Sequence, residues 1–147
     1  STLLREEESH LEIQGDQVIG SEWDGQVATE SLSLRLIRED GEAGVEPDPG
    51  SEILLLGDSH TLVFHEGRDS GMHTRGAGLL DQLSFRLGKP LDLVGVRGSG
   101  LVQARKQLYY RAAETPGYWE QKKAVIWVFS VREFTQSRDR ILPIPLD

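Results

Sequence analysis

The chain has 147 residues, 37% of them apolar and 27% charged, and a net charge of −8. That length suits one domain with a core of its own, and the acidity disfavours nucleic-acid phosphates and anionic membrane surfaces as partners. The absence of cysteine excludes disulfides, thiolate zinc sites and cysteine nucleophiles, and with no eighteen-residue apolar run or legible signal peptide the sequence predicts no membrane span.

Residues 1–50 read as an N-terminal segment of the same domain as the rest. Arg5-Glu6-Glu7-Glu8 is a charge run, expected as solvated surface or a flexible end. Leu32, Leu34 and Leu36 alternate with Ser31, Ser33 and Arg35, the period of a half-buried strand. From Arg38 to Gly50 the chain is rich in Glu, Asp, Gly and Pro and reads as an acidic loop.

Residues 51–147 read as an α/β core. Ile53-Leu54-Leu55-Leu56 is a short continuous apolar run, the mark of a strand covered on both faces, and it runs into Gly57-Asp58-Ser59. A polar, glycine-rich stretch follows from Glu66 to Gly76. Leu79, Leu80, Leu83 and Leu87 then recur at helical spacing until Gly88 and Pro90. Leu91 to Val96 is a second strand, ending at Arg97-Gly98-Ser99-Gly100. A helix is predicted from Leu101 to about Ala113. Ala124-Val125-Ile126-Trp127-Val128-Phe129 is a third strand, expected buried, and it leads into Arg132-Glu133. Strand, helix, strand, helix, strand predicts a mainly parallel sheet with crossover helices. Sites in such sheets collect beyond the carboxyl ends of the strands, so Ser59, Gly98 and Arg132 are expected to converge.

A nucleophilic serine needs exposure, a base and backbone N–H groups for the oxyanion. Gly57 permits a tight turn after a buried strand, and Ser59 then opens the next segment, where amides are unpaired. Read alone, the tripeptide fits a turn capped by Asp or Ser better than a nucleophile. In order, however, Gly57-Asp58-Ser59 resembles the first block of SGNH hydrolases, and Gly98-Ser99-Gly100 resembles their second. Their usual third block, Gly-x-Asn-Asp, is absent. The strand containing Ile126-Trp127 followed by Arg132-Glu133 is similar to the alginate O-acetyltransferase branch. The resemblance covers roughly residues 50–136. It implies a flavodoxin-like, three-layer α/β fold. It also implies acyl transfer to or from a polysaccharide, or another acylated small molecule, through an acyl-serine. Ser59 would be the nucleophile, Gly98 a backbone oxyanion donor, and Arg132 a further oxyanion or substrate contact. No cofactor or metal is implied, and members of that branch work outside the cytoplasm.

The base is harder to place. The tail from Phe134 to Asp147 contains no histidine, and no Asp-x-His precedes Ser59; Glu8-Ser9-His10 is the nearest match. His60 adjoins the nucleophile, where neighbouring side chains diverge. His65 and His73 fall in or near the glycine-rich stretch and read as loop histidines, and His60, His65, His73 and Asp69 show no recognised zinc spacing. The expectation is an incomplete domain whose Asp and His lie upstream of Ser1. Two other readings stay open. One is a non-catalytic SGNH-like module that binds sugar or protein through Trp23, Trp119 or the Tyr109-Tyr110 pair, with Trp127 and one of the two tyrosines expected in the core. The other is a flavodoxin-like nucleotide binder, for which Gly98-Ser99-Gly100 is too short a phosphate signal.

Overall fold

The fold was analysed in a computed structural model that describes residues 3–14, 29–98 and 100–135, the side chains of Gln14, Arg132 and Phe134 apart. Strands β1 (Leu4–Gln14) and β2 (Thr29–Glu39) form an antiparallel ribbon in register from Leu4↔Glu39 to Gln14↔Thr29. The Arg5–Glu8 run is therefore exposed strand surface. Glu7 meets Arg38 at 2.6 Å and Glu6 meets Arg35 at 3.6 Å, pairs worth less than about 1 kcal/mol each in solvent. The alternation of Leu32, Leu34 and Leu36 is seen in β2, and burial deepens toward Leu36 and Ile37.

The acidic segment departs from the expected plain loop. Strand β2 continues to Glu39, and the chain reverses through Asp40 and Gly41, both at positive φ (50° and 97°), into β3 (Glu42–Ala43). Two consecutive positive φ angles match the twist of tight hairpins, and Asp-Gly tolerates them. The Ile37 amide donates to the Gly76 carbonyl at 2.7 Å, and the Val45 amide to Asp81 Oδ1 at 2.8 Å. These bonds tie the N-terminal ribbon to the core.

The second sheet is parallel, in the order β5-β4-β6: β4 (Ile53–Gly57) at the centre, with β5 (Asp92–Gly95) and β6 (Ala124–Val128) on either side. Helix α1 (Leu79–Leu87) links β4 to β5, and α2 (Leu101–Glu114) links β5 to β6. Leu54 and Leu56 pack with Val94, Ala104 and Leu108 on the α2 face. Leu55 packs with Leu80, Leu83 and Leu91 on the α1 face. Helices on opposite faces follow from right-handed crossovers when the chain steps from β4 out to β5 and back past β4 to β6. This part of the molecule is therefore a mixed α/β unit, a parallel three-stranded sheet with a helix on each face. Gly88, in the left-handed conformation, ends α1 with its amide on the Ser84 and Phe85 carbonyls. Two further helices, α3 (Tyr118–Gln121) and α4 (Arg132–Thr135), are single turns.

The floor of the sheet is fastened by Asp92, fully buried at the start of β5. Its carboxylate accepts from Arg111 Nη1 at 2.9 Å, from Lys122 Nζ at 3.2 Å and from the Tyr118 hydroxyl. Burial first, and then the bond to Asp92, push the Tyr118 phenol well above its ordinary range.

One expectation is corrected. Strand β6 is at the edge of the sheet and is not covered on both faces. Ile126 and Val128 face α1, but Val125 and Trp127 on the other face are 48% and 42% exposed. Helix α2 lies over β4 and β5, and no described residue covers that face of β6. Trp127 is thus a surface residue, in edge-to-face contact with Phe129.

Candidate active site

The register of the parallel sheet brings the three strand ends together: Gly57 lies opposite Gly95 on one side and Val128 on the other. Strand order reverses at β4, and sites of open α/β sheets lie beyond the carboxyl ends of the strands at such a switch point. Ser59 follows β4, Gly98 follows β5, and Arg132 begins α4 after β6, so all three lie past the carboxyl ends.

Local sterics explain the turn at Ser59. A Cβ on Gly57 would sit 2.5 Å from Thr61 Cγ2 and 2.6 Å from the Val128 carbonyl oxygen. A Cβ on Gly95 would sit 2.5 Å from Leu62 Cδ2. Two strands bare of side chains at these points let the chain fold back at once into a 3-10 turn, Ser59–Thr61. The Asp58 carbonyl accepts from the Thr61 amide at 3.0 Å and from its hydroxyl at 2.7 Å, and the Ser59 carbonyl accepts from the Leu62 and Val63 amides. Ser59 is half-buried, and among the described residues its hydroxyl and its amide have no hydrogen-bond partner.

Asp58 caps this turn. Its Oδ1 accepts from the His60 amide at 2.9 Å and bonds His60 Nδ1 at 2.8 Å, while Oδ2 accepts from the Ser130 amide at 3.3 Å beyond β6. Partial burial opposes ionisation of Asp58, but the His60 amide, the His60 ring and the Ser130 amide outweigh it. The carboxyl is held below the ordinary aspartate range. So Asp58 both turns the imidazole and fastens the end of β4 to that of β6. The sequence pattern carries a trace of this, since an Asp after a strand commonly bonds the amide two residues on.

Gly98 is exposed, at a φ of 67°, and its amide has no acceptor among the described residues. Just before it, Arg97 Nε donates to Glu66 Oε2 at 3.1 Å and ties the end of β5 to the segment after Ser59. Of Arg132 only the backbone is described. Its neighbour Glu133 accepts from the Leu101 amide at the start of α2, at 3.2 Å.

The other histidines separate from the serine. His10, on the ribbon, bonds Ser33 Oγ at 3.1 Å. His65, expected as a loop histidine, is buried, and its Nδ1 bonds both oxygens of the fully buried Asp81 at 3.1 and 3.2 Å. Asp81 also accepts from the Gly78 amide at the start of α1, so the pair holds the core together. His73 lies beside the Phe64 ring. No group of three or more His, Asp or Glu among the described residues is placed to hold a metal ion. Trp119 is exposed, and so are both Tyr109 and Tyr110, against the expectation that one of the two is in the core; Trp23 lies outside the described residues.

No protein-family model and no curated protein matches the chain. Among solved structures it is similar to the O-acetyltransferase domain of Pseudomonas putida AlgJ, with a TM-score of 0.56 and 15% identity over 94% of this chain. The chain shares its fold with that domain. It spans 44% of the AlgJ chain, less than half its length. No described helix of this chain is long and apolar enough to cross a membrane.

Proposed function

We propose that this chain is the nucleophile-bearing part of an SGNH-like serine acyltransferase or esterase, related to the alginate O-acetyltransferase branch. It would move an acetyl group to or from a polysaccharide outside the cytoplasm. The observation that carries this reading is Ser59 itself: a hydroxyl without a partner among the described residues, just past the end of the central parallel strand, where the strand order reverses. Ser59 Oγ attacks the acyl carbonyl, and the amides of Ser59 and Gly98, neither with an intramolecular acceptor among the described residues, receive the oxyanion. Arg132 would add a cation where acyl donor or acceptor enters. The acyl-serine then passes its acyl group to a sugar hydroxyl or to water.

Activation of Ser59 requires a base, and none of the four histidines hydrogen-bonds it among the described residues. The proposal therefore places the base for the first step outside this chain. An oxyanion hole alone supplies about 10³–10⁴-fold over water in serine enzymes, so the isolated chain is expected to turn over esters slowly. A fluorophosphonate labels activated serines. Labelling at Ser59 in the longest available form of the protein, lost in Ser59→Ala, is the expected result. Labelling unaffected by that substitution overturns the reading. The exposed aromatics Trp119, Tyr109 and Tyr110 favour a second reading, a non-catalytic SGNH-like module that binds carbohydrate or protein; glycan binding without labelling of Ser59 would support it.

A further inference from the structure

The turn after β4 holds a carboxylate–imidazole pair that the reading above leaves unused. Asp58 Oδ1 lies 2.8 Å from His60 Nδ1, and the same carboxylate is held from two further sides by the His60 and Ser130 amides. Its side chain is 11% exposed, whereas that of His60 is 61% exposed. A carboxylate only accepts, so in the neutral ring the proton sits on Nδ1 and Nε2 keeps its lone pair. The turn thus orients one basic nitrogen on an exposed ring, on the residue next to Ser59. That nitrogen makes no hydrogen bond with Ser59, as the divergence of adjacent side chains demands. It is free to hold a second hydroxyl instead.

We propose that Asp58 and His60 form the proton-accepting pair for the second half of the reaction, in which water or an acceptor hydroxyl attacks the acyl group on Ser59. This rests on Ser59 being the acylated residue. The acceptor oxygen bonds to the acyl carbon as its proton passes to His60 Nε2. The tetrahedral oxyanion collapses and the bond from the acyl carbon to Ser59 Oγ breaks. Ser59 Oγ then regains a proton from the imidazolium, relayed through solvent. The product is an ester or a carboxylic acid, and the serine is restored. His60 is the catalytic residue here. Asp58 is a positioning residue that fixes the tautomer and stabilises the imidazolium.

The test acetylates Ser59 in the full chain with p-nitrophenyl acetate and follows loss of the acetyl group from the Ser59 peptide by mass spectrometry. His60→Gln should slow that loss about 10²-fold, the low end for general-base catalysis. Added imidazole should restore the rate in His60→Ala, which removes an exposed side chain and leaves the fold intact. Asp58→Asn should slow the loss too, and nitrogen-15 shifts of the His60 ring should show the Nδ1–H tautomer losing its dominance. Acetyl-Ser59 that decays equally fast in wild type and His60→Gln overturns this pair and leaves the acyl-transfer reading standing. Slowing that imidazole does not relieve points to lost turn geometry and also overturns it. Failure to acetylate Ser59 even in the longest available form of the protein removes both proposals together.

Discussion

The carboxylate of Glu133 accepts the Leu101 amide at 3.2 Å, so the segment after β6 caps the helix that follows β5. The residue at the cap position, Gly100, has no side chain to do this, and a Cβ there would lie 1.9 Å from Glu133 Oε1. Cap and capped amide thus come from different strand ends. Glu133→Ala should cost about 1 kcal/mol, the usual loss for a helix cap, and Gly100→Ala should cost a similar amount by displacing the carboxylate. Urea denaturation of both single variants and the double variant checks this. Because the two substitutions remove one contact, the double should cost little more than either alone.

Asp81 makes a larger claim. It is fully buried and accepts from the Val45 amide at 2.8 Å, the Gly78 amide at 3.0 Å and His65 Nδ1 at 3.1 Å. Asp81→Ala leaves two buried amides and a ring nitrogen without an acceptor. At about 1–3 kcal/mol for each stranded group, the expected loss exceeds about 3 kcal/mol. Equilibrium unfolding measures it, and a loss under about 1 kcal/mol would mean that the Asp81–His65 pair is not a core fastening.

These contacts mark how far sequence reasoning reached. Leu54 to Leu56 is legible as a central strand because a parallel strand covered on both faces must be apolar at every position. Helix α1 is legible because its leucines keep helical spacing and Gly88 stops it. Ser59 is legible as a strand-end serine because Gly57 precedes it. The same rule misleads at Val125 and Trp127: an apolar run reports what a strand is able to bury, and whether a helix lies over it depends on where α2 is placed. His65 reads as a loop histidine because its partner, Asp81, is on another element. Asp58 and His60 are two residues apart, but which way the ring turns is decided by the geometry of the turn.

The open face of β6 gives a contrast within one sheet. Trp127 is 42% exposed at the edge, whereas Leu55 at the centre is fully buried. Trp127→Thr should cost less than about 1 kcal/mol, as surface substitutions usually do, and should raise solubility by removing an exposed ring. Leu55→Ala should cost about 2–5 kcal/mol through lost burial and the cavity left behind. Thermal melts of the two variants side by side decide the matter, and a large loss for Trp127→Thr would show that this face is covered in solution.

Asp58 adds an acid-side term to stability. Its carboxyl is held below the ordinary aspartate value by the His60 amide and ring and the Ser130 amide, against the opposing effect of burial. On acidification the unfolded chain therefore takes up this proton first, near pH 4 for an ordinary aspartate. Above that range the contribution is fully present, and it is lost as pH falls from there through the lower folded value. Asp58→Asn removes the titration, and with it the link from β4 to Ser130. The variant should be less stable than wild type at neutral pH, and the gap between the two melting temperatures should narrow as pH is lowered from about 5 toward 3. A gap that stays constant across that window would show that Asp58 is not held ionised by its amides, and the Nδ1–H assignment of His60 would lose its basis.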